Sequence, residues 1–192
     1  YKRKKRIYDY IHSIFSKLSL KLKKSALLLT SRYIQSSEKD MKYALRNNLM
    51  GDCIHLLSPG NVDIVQVVCF IIGFLISNDG DESLVDAVTY DRLTQQLSTC
   101  IMSTNWSVTI PVYSLIDIII EKNEETIPVF LKYGVPESAC STFSNGTSRE
   151  KSVTIKVISK FMRNAKEDLL SVFIQGDFII PSLNMFGSID KE

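Results

Sequence analysis

Residues 47–78 read NNLMGDCIHLLSPGNVDIVQVVCFIIGFLISN, and this stretch decides the fold. It predicts two helices joined by a turn at Ser58-Pro59-Gly60-Asn61, because adjacent Pro and Gly punctuate local structure strongly. The second helix, about Val62 to Ile76, is apolar except for Asp63 and Gln66 near its start. A helix apolar nearly all round must be buried between neighbours. At about 15 residues it is too short for a bilayer, which takes roughly 20. It is therefore a core helix, and the fold turns on what packs to either side of it.

Self-comparison supplies an answer. Asn48, Asp91, Gly134 and Gly176 each end a partly apolar segment (YALRNN, VDAVTYD, VFLKYG, VFIQG) and precede another, at spacings of 43, 43 and 42 residues. Ile72, Leu115 and Ile158 lie 24 residues after the first three anchors. Leu75, Ile118 and Phe161 lie 27 after them, and Ile76, Ile119 and Met162 lie 28 after. Turn clusters SPGN, STNW and SNGT recur at matching places. A period of about 42, built as short helix, turn, helix, turn and long apolar helix, resembles the armadillo repeat, and HEAT repeats share the range. The competing reading is a chance period among helices of similar length. The resemblance implies an all-α, right-handed α-solenoid of about 4.5 armadillo/HEAT-like repeats over residues 1–192. The units fall at about 7–36, 39–78, 82–123 and 124–165, with a partial one at 166–187.

Along the chain, Ile7, Tyr10, Ile11, Ile14, Phe15, Leu18 and Leu22 recur at helical spacing and predict one amphipathic helix. Lys23 to Gln35 follows as a second, so the first repeat lacks its short helix. Ser37 with Asp40 three residues on reads as a loose capping box. Asn78-Asp79-Gly80-Asp81 is a turn by composition. Ser83 to Thr89 and Arg92 to Met102 are the first two helices of the next unit, and Val108 to Glu121 is its long helix. Pro111 is placed in that helix's first turn, where a missing N–H costs little. Pro136 suits the same position in the following unit, whose long helix is Ser152 to Arg163.

Composition places the chain among folded globular proteins, with 45% hydrophobic and 23% charged residues. Charge is uneven: residues 1–24 hold nine Lys/Arg against Asp9 alone, while the remainder is net acidic. KRKKR (Lys2, Arg3, Lys4, Lys5, Arg6) is a basic patch resembling a short nuclear localisation or anionic-surface signal, with a solvated helix start as the bland alternative. The chain begins at Tyr1 without a signal-peptide pattern and reads as a piece of something longer. Cys53, Cys69, Cys100 and Cys140 stand singly, so neither a zinc site nor a disulfide framework is indicated, and buried free thiols are expected. His12 and His55 lie 43 residues apart. His55 reads as a partly buried packing residue. Asn105-Trp106-Ser107 and Asn145-Gly146-Thr147 match the glycosylation sequon, a motif common by chance. No phosphate loop, metal motif or nucleophile motif is present, so no catalytic residue, metal or cofactor is assigned and the chain is read as a non-enzyme.

The long helices are the place to seek a partner surface, since stacked in parallel they would line a concave face. The stretch QVVCFIIGFLIS resembles the third helix of importin-α repeats. There a Trp stacks on lysine stems and an Asn four residues later holds the peptide backbone. Those two chemistries are cation–π attraction and the amide's ability both to donate and to accept. The Trp place falls on Phe70, Tyr113 and Lys156, and the Asn place on Phe74, Asp117 and Lys160. None of the six carries the family residue, and inter-repeat packing is their competing reading. The expected function is a protein-binding scaffold presenting a concave groove to a partner's extended peptide or helix, in the cytoplasm or nucleus. Alternatives are a diverged importin-α-type nuclear transport adaptor and an armadillo regulatory domain of a larger cytoskeletal or signalling protein. Self-association through solenoid ends is a further expectation. Nucleic acid and membrane rank last as partners, because the basic excess is confined to one end.

Overall fold

A computed structural model describes residues 2–78 and 87–163. The described residues form ten α-helices and no strand: α1 (Lys2–Ile14), α2 (Leu20–Ile34), α3 (Glu38–Arg46), α4 (Leu49–Leu56), α5 (Val62–Asn78), α6 (Ala87–Ile101), α7 (Trp106–Lys122), α8 (Ile127–Lys132), α9 (Val135–Asn145) and α10 (Ser148–Arg163). The chain divides into two compact units, Tyr1–Gln96 and Leu97–Glu192. The expected turn residues 79–81, the first part of the short helix from Ser83, the partial unit 166–187 and the anchor Gly176 lie outside the described residues.

In the first unit α5 is the core helix, packed on α2 and α4. Nine of its residues, Ile64, Val65, Val68, Cys69, Ile71, Ile72, Gly73, Leu75 and Ile76, are buried, as its all-round apolar sequence requires. The turn before it forms as read: Asn61 N–H donates to the Ser58 carbonyl at 2.9 Å, and its side-chain amide to the Leu56 carbonyl at 3.1 Å. Ser37 caps α3, its hydroxyl accepting from Asp40 N–H at 3.2 Å. At the start of the chain the single predicted helix is instead broken. A 3-10 turn at Phe15–Lys17 and extended Leu18 end α1, and Ser19 opens α2, so Leu22 belongs to α2. Two serines in SKLS compete locally for the backbone and favour such a break.

In the second unit α7 and α10 pack on each other, and α9 packs on α10. Asn105 caps α7, its side chain accepting from Ser107 N–H at 2.9 Å. The helix therefore starts earlier than expected and Pro111 lies inside it rather than in its first turn. The start of α10 also moves forward, to Ser148. Thr147 N–H donates to Glu150 at 2.9 Å while Glu150 N–H reaches back to the Thr147 hydroxyl at 3.4 Å, a reciprocal capping box.

Two of the sequence anchors fall at joints between helices. Asn48 (φ 63°) and Gly134 (φ 67°) are the left-handed residues among those described, and each links a short helix to the next one, α3 to α4 and α8 to α9. The anchor between them behaves differently: Asp91 sits inside the continuous helix α6, so no turn interrupts that unit there. Ile72, Leu115 and Ile158, at one shared offset, are all buried. The neighbouring offsets are looser, with Ile118 half-buried and Met162 exposed.

Candidate functional site

The six positions expected to face a partner are treated very differently by the fold. Phe70 lies on α5 with 51% of its surface exposed, on the stripe of that helix that also carries exposed Asp63, Gln66 and Ser77. The ring of half-buried Phe74, one turn on, stacks with it at 6.4 Å between centroids. The two make an aromatic ledge along one line of the helix, since residues four apart share a face.

Tyr113 departs from the expectation. It is fully buried, its hydroxyl 3.2 Å from that of Thr142 on α9. Burial pushes its phenol well above the ordinary value, and the Thr142 contact only partly offsets this. A ring with no exposed surface is a packing residue and offers no stacking face. Asp117 and Lys160 also depart from a peptide-holding role, because they hold each other. Lys160 Nζ lies 2.6 Å from Asp117 Oδ1 and donates to the Asp117 carbonyl oxygen at 2.7 Å and to Glu121 Oε2 at 2.9 Å. The Oδ1 approach is a close ion contact, with the aligned hydrogen bonds going to the other two oxygens. That bond from Lys160 holds the Glu121 carboxyl below the usual carboxylate range. The equivalent places of two long helices, α7 and α10, are thus neutralised across their own interface. Lys156 is exposed on α10.

A second cluster gathers around α1. Tyr8 is buried and donates to the Ala44 carbonyl on α3 at 3.5 Å. Its ring stacks on Tyr33 of α2 at 5.0 Å and on His12 at 6.0 Å, with Tyr43 edge-on at 6.0 Å. Tyr43 in turn donates to Asp9 Oδ1 at 2.6 Å, and Lys5 Nζ sits 4.1 Å above its ring. His12 Nδ1 lies 3.0 Å from Asp52 Oδ2 on α4. Burial raises the Asp52 carboxyl, and His12 and His55 pull the other way. So Lys5, from the basic run, has a structural partner, and Arg6 is exposed. His55 is exposed rather than packed, with Nε2 3.2 Å from an Arg92 guanidinium nitrogen. Beside this cluster, α1 and α2 leave an open groove of about 220 Å³ walled by Ile7, Ile11 and Leu29. Sequence reading did not find it, because the exposure of Leu28 and Leu29 on α2 depends on what packs opposite them.

The remaining polar motifs are structural. Asn105 caps α7 and Asn145 donates to the Ser141 carbonyl at 3.2 Å. The four cysteines are buried and unbridged, and burial pushes the Cys100 and Cys140 thiols up to about 11, far from a reactive thiolate. Among the described residues no cluster of three or more His, Cys, Asp or Glu could hold a metal, and no helix is long and apolar enough to cross a membrane. Comparison with protein-family models, curated proteins and solved structures returned no match.

Proposed function

We propose that the chain is a non-enzymatic, protein-binding helical scaffold built on an armadillo-like repeat. The observation that carries this reading is the Phe70–Phe74 ledge. A large aromatic ring left half exposed on the solvent-facing stripe of the core helix, beside a second ring, is the kind of anchor around which interface energy concentrates. Support for the repeat comes from the two left-handed joints and from the shared buried offset of the long helices. The importin-α-type adaptor reading is the weaker one. Its stacking and amide places would be filled by a buried Tyr113 and by an Asp117–Lys160 pair already satisfied within the chain.

A photo-crosslinking residue placed at position 70 tests the reading in extract from the source organism. The expected result is one discrete crosslinked protein. Purified, it should bind the chain, and Phe70→Asp should weaken that binding at least tenfold with the helical circular dichroism unchanged. Equal binding by wild type and Phe70→Asp would remove the ledge, and with it this assignment.

A further inference from the structure

We infer that the groove between α1 and α2 is a docking site for an acidic amphipathic helix of a partner protein. This rests on the protein-binding reading above but uses a different surface, so the two can fail separately.

Three observations specify the occupant. The first is shape. The groove is a concavity of about 220 Å³ whose walls, Ile7, Ile11 and Leu29, are aliphatic, and Ile7 and Leu29 are each 53% exposed. A concavity of that size accepts one or two inserted aliphatic side chains. Helix-in-groove recognition presents such anchors at i, i+3 or i+4, and i+7. The second is rigidity. Tyr8 and Tyr33, which floor the groove, are stacked at 5.0 Å, and α1 is tied to the rest of its unit through Tyr8–Ala44, Tyr43–Asp9 and His12–Asp52. A wall held in place by those contacts loses little entropy when filled.

The third is charge. Arg32 lines the groove and Arg6, next to Ile7, is exposed. Between Asp9 and Glu38 the chain has no acid at all, and Asp9, whose carboxylate accepts from the Tyr43 hydroxyl, does not line the groove. Facing groups from the other elements do not reverse this: Asp52 on α4 is paired with His12, and Asp40 on α3 is buried. An apolar slot under a basic rim selects an apolar stripe flanked by Asp and Glu, and repels a basic ligand. The same charge disfavours a second copy seated face to face, since like basic rims would meet.

The test is a selection by the intact chain from a displayed library of helical peptides. Interior positions are randomised among Leu, Ile and Phe, and flanking positions among Glu, Asp, Gln, Lys and Arg. The expected outcome is enrichment of net-acidic helices with anchors at i, i+3 or i+4, and i+7. Leu29→Glu, at an exposed position, should weaken their binding at least tenfold, and so should Arg32→Glu, with circular dichroism unchanged. Phe70→Asp should leave it unaltered. Enrichment of basic or uncharged helices, no enrichment, or equal binding by Leu29→Glu overturns the inference. Two parallel measurements also overturn it. One is Leu29-dependent binding to vesicles containing anionic lipid, which would make the face a membrane surface. The other is a dimer of the wild-type chain in sedimentation that Leu29→Glu dissociates. Loss of peptide binding in Phe70→Asp would place the acidic helix on the α5 ledge instead.

Discussion

Two single residues set the joints of this chain. Asn48 and Gly134 both hold left-handed backbone, which costs an ordinary L-residue roughly 1–2 kcal/mol and glycine almost nothing. Asn48→Gly is therefore expected to leave urea stability unchanged or slightly raised, while Asn48→Ala and Gly134→Ala should each cost about 1 kcal/mol. A neutral Gly134→Ala would contradict that geometry. A second prediction concerns Lys160. It is largely buried against an Asp117 that is also mostly covered, so Lys160→Ala leaves a carboxylate without its cation. We expect a loss of about 1–3 kcal/mol in equilibrium unfolding, below the fully buried case because Glu121 and solvent are close. Adding Asp117→Asn should recover part of it, since no unpaired charge is left. The sequence offered both residues as candidates but aimed them at a ligand. Their pairing needs α7 and α10 side by side, which spacing alone does not reveal.

At the scale of an element, α10 shows how much a helix start depends on its cap. Glu150 accepts from the Thr147 N–H and hydroxyl, each at 2.9 Å, and from the Thr109 hydroxyl on α7 at 3.1 Å, joining the cap to a helix contact. Partial burial pushes its carboxyl up, but those three hydrogen bonds outweigh it and hold the group below the ordinary glutamate value. A folded value below the unfolded one gives stability that is present above the unfolded value and lost as pH falls through the folded one. Glu150→Ala should thus cost about 1 kcal/mol near neutral pH. The gap from wild type should close as the solution is acidified below the ordinary glutamate range, followed by thermal or urea melts. A gap constant with pH would mean that the carboxylate contributes only through packing. The same motif, Thr147-Ser-Arg-Glu150, is visible in the sequence, and reading it would have placed the helix start correctly. The expectation instead took Ser144 to Ser148 as a loop. The break after α1 was missed because apolar spacing continued through Leu18 and Leu22, while the backbone turns extended at Leu18 and Ser19.

Across the molecule, protection should follow burial. Helix α5 buries nine of its residues, whereas α1 has an exposed Ile7 and Tyr10. Local opening takes least free energy where few apolar contacts are broken. Native-state hydrogen exchange is expected to find the slowest amides of the first unit in α5. Amides in the middle of α5 that exchange as fast as those at exposed helix ends would contradict that burial.

The sequence by itself determined the all-helical class, the burial of α5's apolar face and the turn at residues 58–61. These depend on apolar periodicity and on backbone sterics, both local to the chain. Tertiary structure alone decided which polar and aromatic groups remain available. Tyr113 and Phe70 look alike in a sequence, yet Thr142 and the packing of α9 bury one while the other stays half exposed. Leu29 lies exposed on a groove between α1 and α2, which its place in an apolar run does not disclose. Exposure is a property of what lies opposite a residue, and that is settled only when distant segments meet.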